Sequence, residues 1–276
     1  MRTSSLTDSG KKLKTTTQKD KIKRSNGGSS RGRISVVGIG PGSLEHLTPK
    51  ARTEIENADV VVGYGTYIKL IQSIVKKNAE VVSGTMGKEV ERAQIAVDKA
   101  KEGKLVVMVS SGDPGVYGMA GVVLEVAAKD KNPVSVEIVP GVTAATAASA
   151  ILGAPLVSDF AVISLSDLLT PWKKIERRLE AASSADFSIV LYNPKSHGRV
   201  EPLVKAYEIM LKYIDPKTPV GIVRQAGREG EGATITTLKD MLNTEIDMVT
   251  TIVVGNSATK VVNGKMVTAR GYDLKE

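Results

Sequence analysis

From Ile34 onward, short apolar runs rich in Val and Ile alternate with stretches whose apolar residues recur at helical spacing. The runs Ile34 to Val37, Val60 to Val62, Glu80 to Val82, Leu105 to Val109 and Ser135 to Val139 are nearly continuous in apolar character, which predicts strands buried on both faces. Between them the spacing predicts helices over Thr48 to Asn57, opened by a Thr-Pro start signal, and over Thr66 to Lys77, Glu89 to Glu102 and Val116 to Ala128. Strict alternation of strand and helix is the pattern of a wound α/β sheet.

The texture changes after Pro140. An Ala-rich helix is predicted over Ala144 to Leu152, followed by strands at Ala161 to Leu165, Ser188 to Leu191, Val220 to Val223 and Thr250 to Val254. Helices at Trp172 to Ala182 and Val200 to Tyr213 lie among them, Thr-rich Ala233 to Leu238 reads as a further strand, and Asn263-Gly264 between two apolar pairs signals a hairpin. The mixture of hairpins and crossovers differs from the first half. It predicts an α/β fold of two α/β domains, residues 33–140 and 141–276, meeting near Pro140 and Gly141.

Charge changes the picture only at the N-terminus. Residues 1 to 33 hold ten of the 38 Lys and Arg and two of the 30 acids, which leaves 28 of each sign in the remainder. The first 32 residues are basic and polar with scarcely an apolar side chain, so they are expected to form a disordered tail. A formally neutral body carries no overall field for a phosphate backbone, which weighs against nucleic acid as its partner. The chain has no Cys and only His46 and His197, so thiolate and imidazole-rich metal sites are excluded. No apolar run reaches the roughly 18 residues of a spanning helix and no secretory signal core is present, so a cytoplasmic protein without a membrane span is expected.

Three strand ends carry candidate chemistry. The first strand runs into Gly38-Ile39-Gly40-Pro41-Gly42, where glycines allow a sharp turn and close approach of backbone to a ligand. A dinucleotide fingerprint fits this loop poorly: Pro41 removes an N–H donor, Ser43 takes the last glycine position, and the second strand ends Val62-Gly63 without a ribose-binding carboxylate. The fourth strand is followed by Ser110-Ser111-Gly112-Asp113-Pro114-Gly115-Val116-Tyr117-Gly118, at the carboxyl end where open α/β sheets bind ligands. There Asp113 either accepts hydrogen bonds from a ligand or holds an Asp-Pro-Gly turn. The fifth strand ends in Val139-Pro140-Gly141-Val142-Thr143-Ala144, which feeds small residues into a helix N-terminus with free N–H groups.

In order and spacing these three motifs together resemble the tetrapyrrole methylase family, over about residues 33 to 272. The resemblance implies two α/β domains, S-adenosyl-L-methionine as cofactor in the cleft between them, and commonly a homodimer. Carried over position by position, it implies cofactor contacts at Pro41, Ser111, Gly112, Asp113, Val116, Thr143, Ala144, Asn193 and Ala226. Gly63-Tyr64-Gly65-Thr66-Tyr67, the stretch from Ser158 to Asp167 and Leu191-Tyr192-Asn193-Pro194-Lys195-Ser196 resemble the branch of that family that methylates C17 of a precorrin-3 level tetrapyrrole, with or without cobalt, and contracts its ring. Such a substrate is large and anionic, and Lys195, Arg199, Arg224 and Arg228 stand beside the expected cleft loops either as its partners or as solvated loop charge. Ring contraction needs proton transfer, for which His197 is the candidate because imidazole titrates near neutrality. Other branches, acting on uroporphyrinogen III or precorrin-4, and a non-enzymatic tetrapyrrole-binding protein are the alternatives.

Overall fold

The computed structural model describes residues 32–196 and 198–273. The basic tail, apart from Gly32, and His197 therefore lie outside the described residues. Gly32 is buried, and a Cβ there would sit 2.1 Å from the Ala100 carbonyl oxygen.

The alternating first half builds one five-stranded, fully parallel sheet from β1 (Arg33–Gly38), β2 (Val60–Tyr64), β3 (Glu80–Gly84), β4 (Leu105–Ser110) and β5 (Ser135–Val139), in the order β3-β2-β4-β1-β5. One face packs Val36, Val62 and Met108 against α3 (Glu89–Lys101) and α4 (Ala120–Ala127); the other packs Val37, Val61 and Val107 against α1 (Pro49–Asn57) and α2 (Gly65–Ile71). Burial on both faces is why β1, β2 and β4 read as continuous apolar runs. The edge strands β3 and β5 depart from that expectation: with a neighbour on one side only, they leave Val81 47% and Ile138 37% exposed. The start of α1 follows its sequence signal: Thr48 Oγ1 accepts the Ala51 N–H at 3.1 Å and Pro49 occupies the first turn.

Two helices depart from the periodicity. The α2 helix stops at Ile71 and gives way to a 3-10 turn over Gln72–Ile74, short of the expected Lys77. The α4 helix begins at Ala120 rather than Val116, because Tyr117 adopts a left-handed backbone (φ 53°) that a right-handed helix cannot contain.

The second half, after α5 (Ala144–Leu152) and the short β6 (Gly153–Ala154), forms a mixed sheet in the order β10-β9-β11-β8-β7. Its strands are β7 (Phe160–Ser164), β8 (Ser188–Tyr192), β9 (Pro219–Arg224), β10 (Gly232–Thr237) and β11 (Thr250–Val254). Only β7 and β8 run parallel; the pairs β8-β11, β11-β9 and β9-β10 are antiparallel. Helices α6 (Trp172–Ser184) and α7 (Glu201–Met210) cover one face, where Ile175, Leu179, Leu203 and Met210 meet Ile189, Leu191 and Ile252. The Ala-rich α5 covers the other, over Val190, Val223 and Val253. The Asn-Gly signal is a hairpin between β12 (Thr259–Val262) and β13 (Lys265–Thr268), with Asn263 and Gly264 both at positive φ as a type I′ turn requires. Through β13 it pairs with β6.

Candidate active site

Because β1 lies between β4 and β5, the three motif-bearing loops leave neighbouring strands at the same carboxyl end. Glycines let them touch backbone to backbone. Gly40 and Gly112 exchange both main-chain hydrogen bonds, at 3.1 and 2.8 Å. A Cβ on Gly141 would lie 2.2 Å from the Gly112 carbonyl oxygen, and one on Gly38 would lie 2.6 Å from that same oxygen. No larger residue fits these positions without moving main chain.

Asp113 completes this junction. Its Oδ1 accepts the Gly115 N–H at 2.8 Å and its Oδ2 the Gly141 N–H at 3.0 Å, so the carboxylate both holds its own turn and straps the β4 loop to the end of β5. Of the two roles open in the sequence, the turn role is occupied by these backbone donors.

Tyr192, at the end of β8, supplies the cap that Thr143 does not give α5. Its hydroxyl accepts the Ala145 N–H at 2.7 Å and lies 2.5 Å from Thr143 Oγ1. Burial pushes the Tyr192 phenol above its ordinary pKa; the Thr143 and Ala145 hydrogen bonds oppose this only in part, and the charge of Asp113 adds to it. Tyr192 is therefore a neutral hydrogen-bonding group near neutral pH.

The loop after β9 closes the opposite side. A Cβ on Gly227 (φ 67°) would lie 2.8 Å from the Pro41 ring, and the side chain of Arg228 lies along the open side of Gly42. From there Arg228 Nε donates to the Pro41 carbonyl at 2.6 Å and Nη2 to Ser111 Oγ at 3.2 Å. One guanidinium from the second half thus fastens two of the three loops of the first.

These segments enclose a cleft of about 1010 Å³. From the first half it is lined by Pro41, Ser111, Gly112, Asp113 and Val116, then by Thr143 and Ala144 at the start of α5. From the second half Asn193 and Ala226 line it. Every residue that the family resemblance implied for the cofactor thus faces one space. Three of the non-glycine residues with left-handed backbone, Tyr117, Asn193 and Gln225, line it too, with φ of 53°, 51° and 51°. Strained backbone persists where surrounding contacts enforce it, and it gathers at functional clefts.

The four candidate cations are placed differently. Arg228 lines the cleft. Arg199 donates to the Leu165 carbonyl at 2.6 Å and to the Asn193 carbonyl at 3.0 Å, which holds the turn carrying Asn193. Arg224 pairs with Asp247 at 2.8 Å and with Glu245 at 3.4 Å. Burial works against the Asp247 carboxylate, yet hydrogen bonds from Thr250, the Val249 N–H and Arg224, together with the Arg224 charge, hold its pKa below the ordinary value. Neither Arg199, Arg224 nor Lys195 is among the lining residues of the cleft.

Other residues of the cleft were not singled out as site residues. Arg92 is 5% exposed and lies at the far end, where it donates to the Thr85 carbonyl and to Glu89 Oε1 at 3.0 Å. Burial opposes ionisation of Glu89, but hydrogen bonds from its own N–H, Arg92 and Gly87 and the charge of Arg92 bring its pKa below the ordinary value. Tyr64 and Tyr67 line the same end, ring edge against ring face at 5.2 Å. Lys88 stands at the rim in an exposed ion pair with Glu91 at 3.1 Å. The only sequence signal for any of these was the Gly-Tyr-Gly-Thr-Tyr run that ends β2 and opens α2.

The family described as Tetrapyrrole (Corrin/Porphyrin) Methylases matches residues 33–242. A cobalt-factor III methyltransferase of Priestia megaterium is 49% identical over 249 residues, which is 89% of this chain and 46% of that protein. A probable cobalt-factor III C(17)-methyltransferase of Salmonella typhimurium is 47% identical over 241 residues, covering 87% of this chain and 100% of that protein. The chain therefore spans about half the length of the first relative and all of the second. The crystal structure of the methyltransferase CobJ superposes with a TM-score of 0.81 at 33% identity, covering 86% of this chain and 100% of that one. With the family match extending over three quarters of the sequence and its motifs converging on one cleft, the chain belongs to the tetrapyrrole (corrin/porphyrin) methylases.

Proposed function

We propose that this protein transfers a methyl group from S-adenosyl-L-methionine to C17 of a precorrin-3 level tetrapyrrole and contracts the macrocycle, in cobalamin biosynthesis. The observation that carries the reading is the cleft itself: its lining gathers all nine positions implied for the cofactor, together with Arg228, and its volume of about 1010 Å³ lies at the upper limit of the roughly 300–1,000 Å³ usual for a small-molecule site. The names of the two relatives, both acting on cobalt-factor III, make the cobalt-containing macrocycle the first substrate to test.

The residues present fit the cofactor. The packed glycines at the ends of β1, β4 and β5 bring main chain to the cleft surface, and Thr143 leaves the first turn of α5 open on its cleft side except for the Tyr192 hydroxyl. When bound, S-adenosyl-L-methionine supplies an electrophilic methyl carbon. The contribution of the protein is then to hold two ligands in line and to exclude water. Asp113, Arg228 and Tyr192 do this by fixing the three strand-end loops and the start of α5 to one another.

A macrocycle bearing carboxylates needs cationic partners. Arg228 presents charge inside the cleft, and Lys88 presents it at the rim, where its ion pair with Glu91 is exposed and weak, whereas Arg92 is buried and paired with Glu89. His197 remains the proposed proton-transfer residue, with Lys195 beside it as a substrate partner. We also propose that the enzyme works in the cytoplasm as a homodimer, which sedimentation of the full chain tests.

The direct test is incubation of purified protein with methyl-labelled S-adenosyl-L-methionine and cobalt-factor III without oxygen. Label recovered in the macrocycle supports the reading; cofactor binding without transfer to cobalt-factor III or precorrin-3B would move the chain to another branch.

A further inference from the structure

Tyr117 crosses the cleft. It sits in the loop after β4, yet its hydroxyl reaches β7 at the outer edge of the second sheet, donating to the Val162 carbonyl and accepting the Ser164 N–H, both at 3.2 Å. These two groups belong to the free side of β7. Its inner side is paired with β8, where the Leu165 N–H donates to the Tyr192 carbonyl at 2.9 Å. An edge strand ordinarily leaves such groups to water. Here one phenol takes the donor and the acceptor that a sixth strand would take.

The rest of the residue is arranged for this reach. Its φ of 53° is uncommon for any residue other than glycine and most uncommon for a bulky one, a strain that persists only where contacts enforce it. Its ring lies 5.8 Å from that of Tyr192, the residue that caps α5 beside Thr143 and Ala144. Ser164, whose N–H it receives, accepts a hydrogen bond from Asn193 Nδ2 at 2.9 Å through its own Oγ. The Asp113–Val116 segment, the Thr143–Ala144 segment and Asn193 therefore meet through this one side chain.

We propose that Tyr117 is a positioning residue that sets the separation between the two walls of the cofactor cradle by fastening the β4 loop to the edge of β7. The cofactor part of this statement rests on the function proposed above; the latch itself does not. The hydroxyl is the working group, and the ring is a spacer against Tyr192. Tyr117→Phe keeps the ring and removes both hydrogen bonds, so a role in packing alone predicts no change from it.

The test pairs two measurements on wild type and Tyr117→Phe. Hydrogen exchange of the Ser164 amide, without ligand, reads the latch: exchange is expected to quicken roughly 5-fold, the equivalent of about one net hydrogen bond. Calorimetric titration with S-adenosylhomocysteine reads the cradle: its dissociation constant is expected to rise roughly 5-fold on the same ground. Equal Ser164 exchange in the two proteins overturns the latch, and faster exchange with an unchanged dissociation constant overturns its positioning role. Failure of wild type to bind S-adenosylhomocysteine would instead count against the proposed function and the positioning role together, while the exchange result still judged the latch.

Discussion

Adding one methyl group at Gly141 should damage this protein more than most surface changes of any size. Its Cβ would lie 2.2 Å from the Gly112 carbonyl oxygen and 2.8 Å from both the carbonyl carbon and oxygen of Gly38. Against a closest tolerable approach of 3.0 Å, the Gly112 carbonyl would have to retreat by about 0.8 Å. That carbonyl accepts the Gly40 N–H at 3.1 Å, and Gly141 itself donates to Asp113 at 3.0 Å, so retreat lengthens one or both bonds past useful range. Overpacking costs about 1–3 kcal/mol and each lost hydrogen bond about 0.5–1.5, which together give about 3 kcal/mol for Gly141→Ala. At roughly 2–4 °C per kcal/mol for a domain of this size, the melting temperature should fall by roughly 6–12 °C. The control is the same substitution at Gly121, an exposed position in the first turn of α4 with nothing within 4 Å of its Cβ, where Ala should be neutral or stabilising by up to ~1 kcal/mol. Thermal melts followed by circular dichroism compare the two variants directly. A Gly141→Ala protein that melts within about 2 °C of wild type would refute the claim that the strand ends are in main-chain contact.

Arg228→Lys keeps the charge but replaces a fork by a single ammonium, which cannot serve the Pro41 carbonyl and Ser111 Oγ together. The urea midpoint should fall by the equivalent of about 1–2 kcal/mol, and an unchanged midpoint would show that this fork does not hold the loops. Acid lability should trace in part to Glu54, 14% exposed and held by Arg33 and Ser35. Burial opposes its ionisation, but those hydrogen bonds and the charges of Arg33 and Lys50 leave its pKa below the ordinary value. The unfolded chain then takes up the proton first as pH falls, so the stabilisation is complete above about pH 5, past the unfolded pKa, and is lost as pH drops through the lower folded pKa. Glu54→Gln should therefore lower the melting temperature at pH 7 and flatten its decline in acid; parallel acid profiles for the two proteins would contradict this.

The sequence carried most of what local physics decides. Continuous Val and Ile runs located the parallel strands, Thr48-Pro49 located the start of α1, and Asn263-Gly264 located the hairpin. The glycine motifs were legible because close main-chain approach leaves few residue choices, although nothing in the order of the chain says that β1 lies between β4 and β5. What escaped was set by long-range partners. Tyr117 reads as the start of a helix until β7 claims its hydroxyl, and Tyr192 reads as a strand end until α5 claims its own. Arg199 and Arg224 looked free beside the expected loops because the Leu165 carbonyl and Asp247 that engage them approach only in the fold.

The most direct test of the proposed reaction is carbon-13 nuclear magnetic resonance of the macrocycle made from methyl-labelled S-adenosyl-L-methionine and cobalt-factor III without oxygen. A single labelled methyl on C17 of a ring-contracted product is the predicted result. A label on any other carbon, or at C17 of a macrocycle that has kept its original ring, would contradict it.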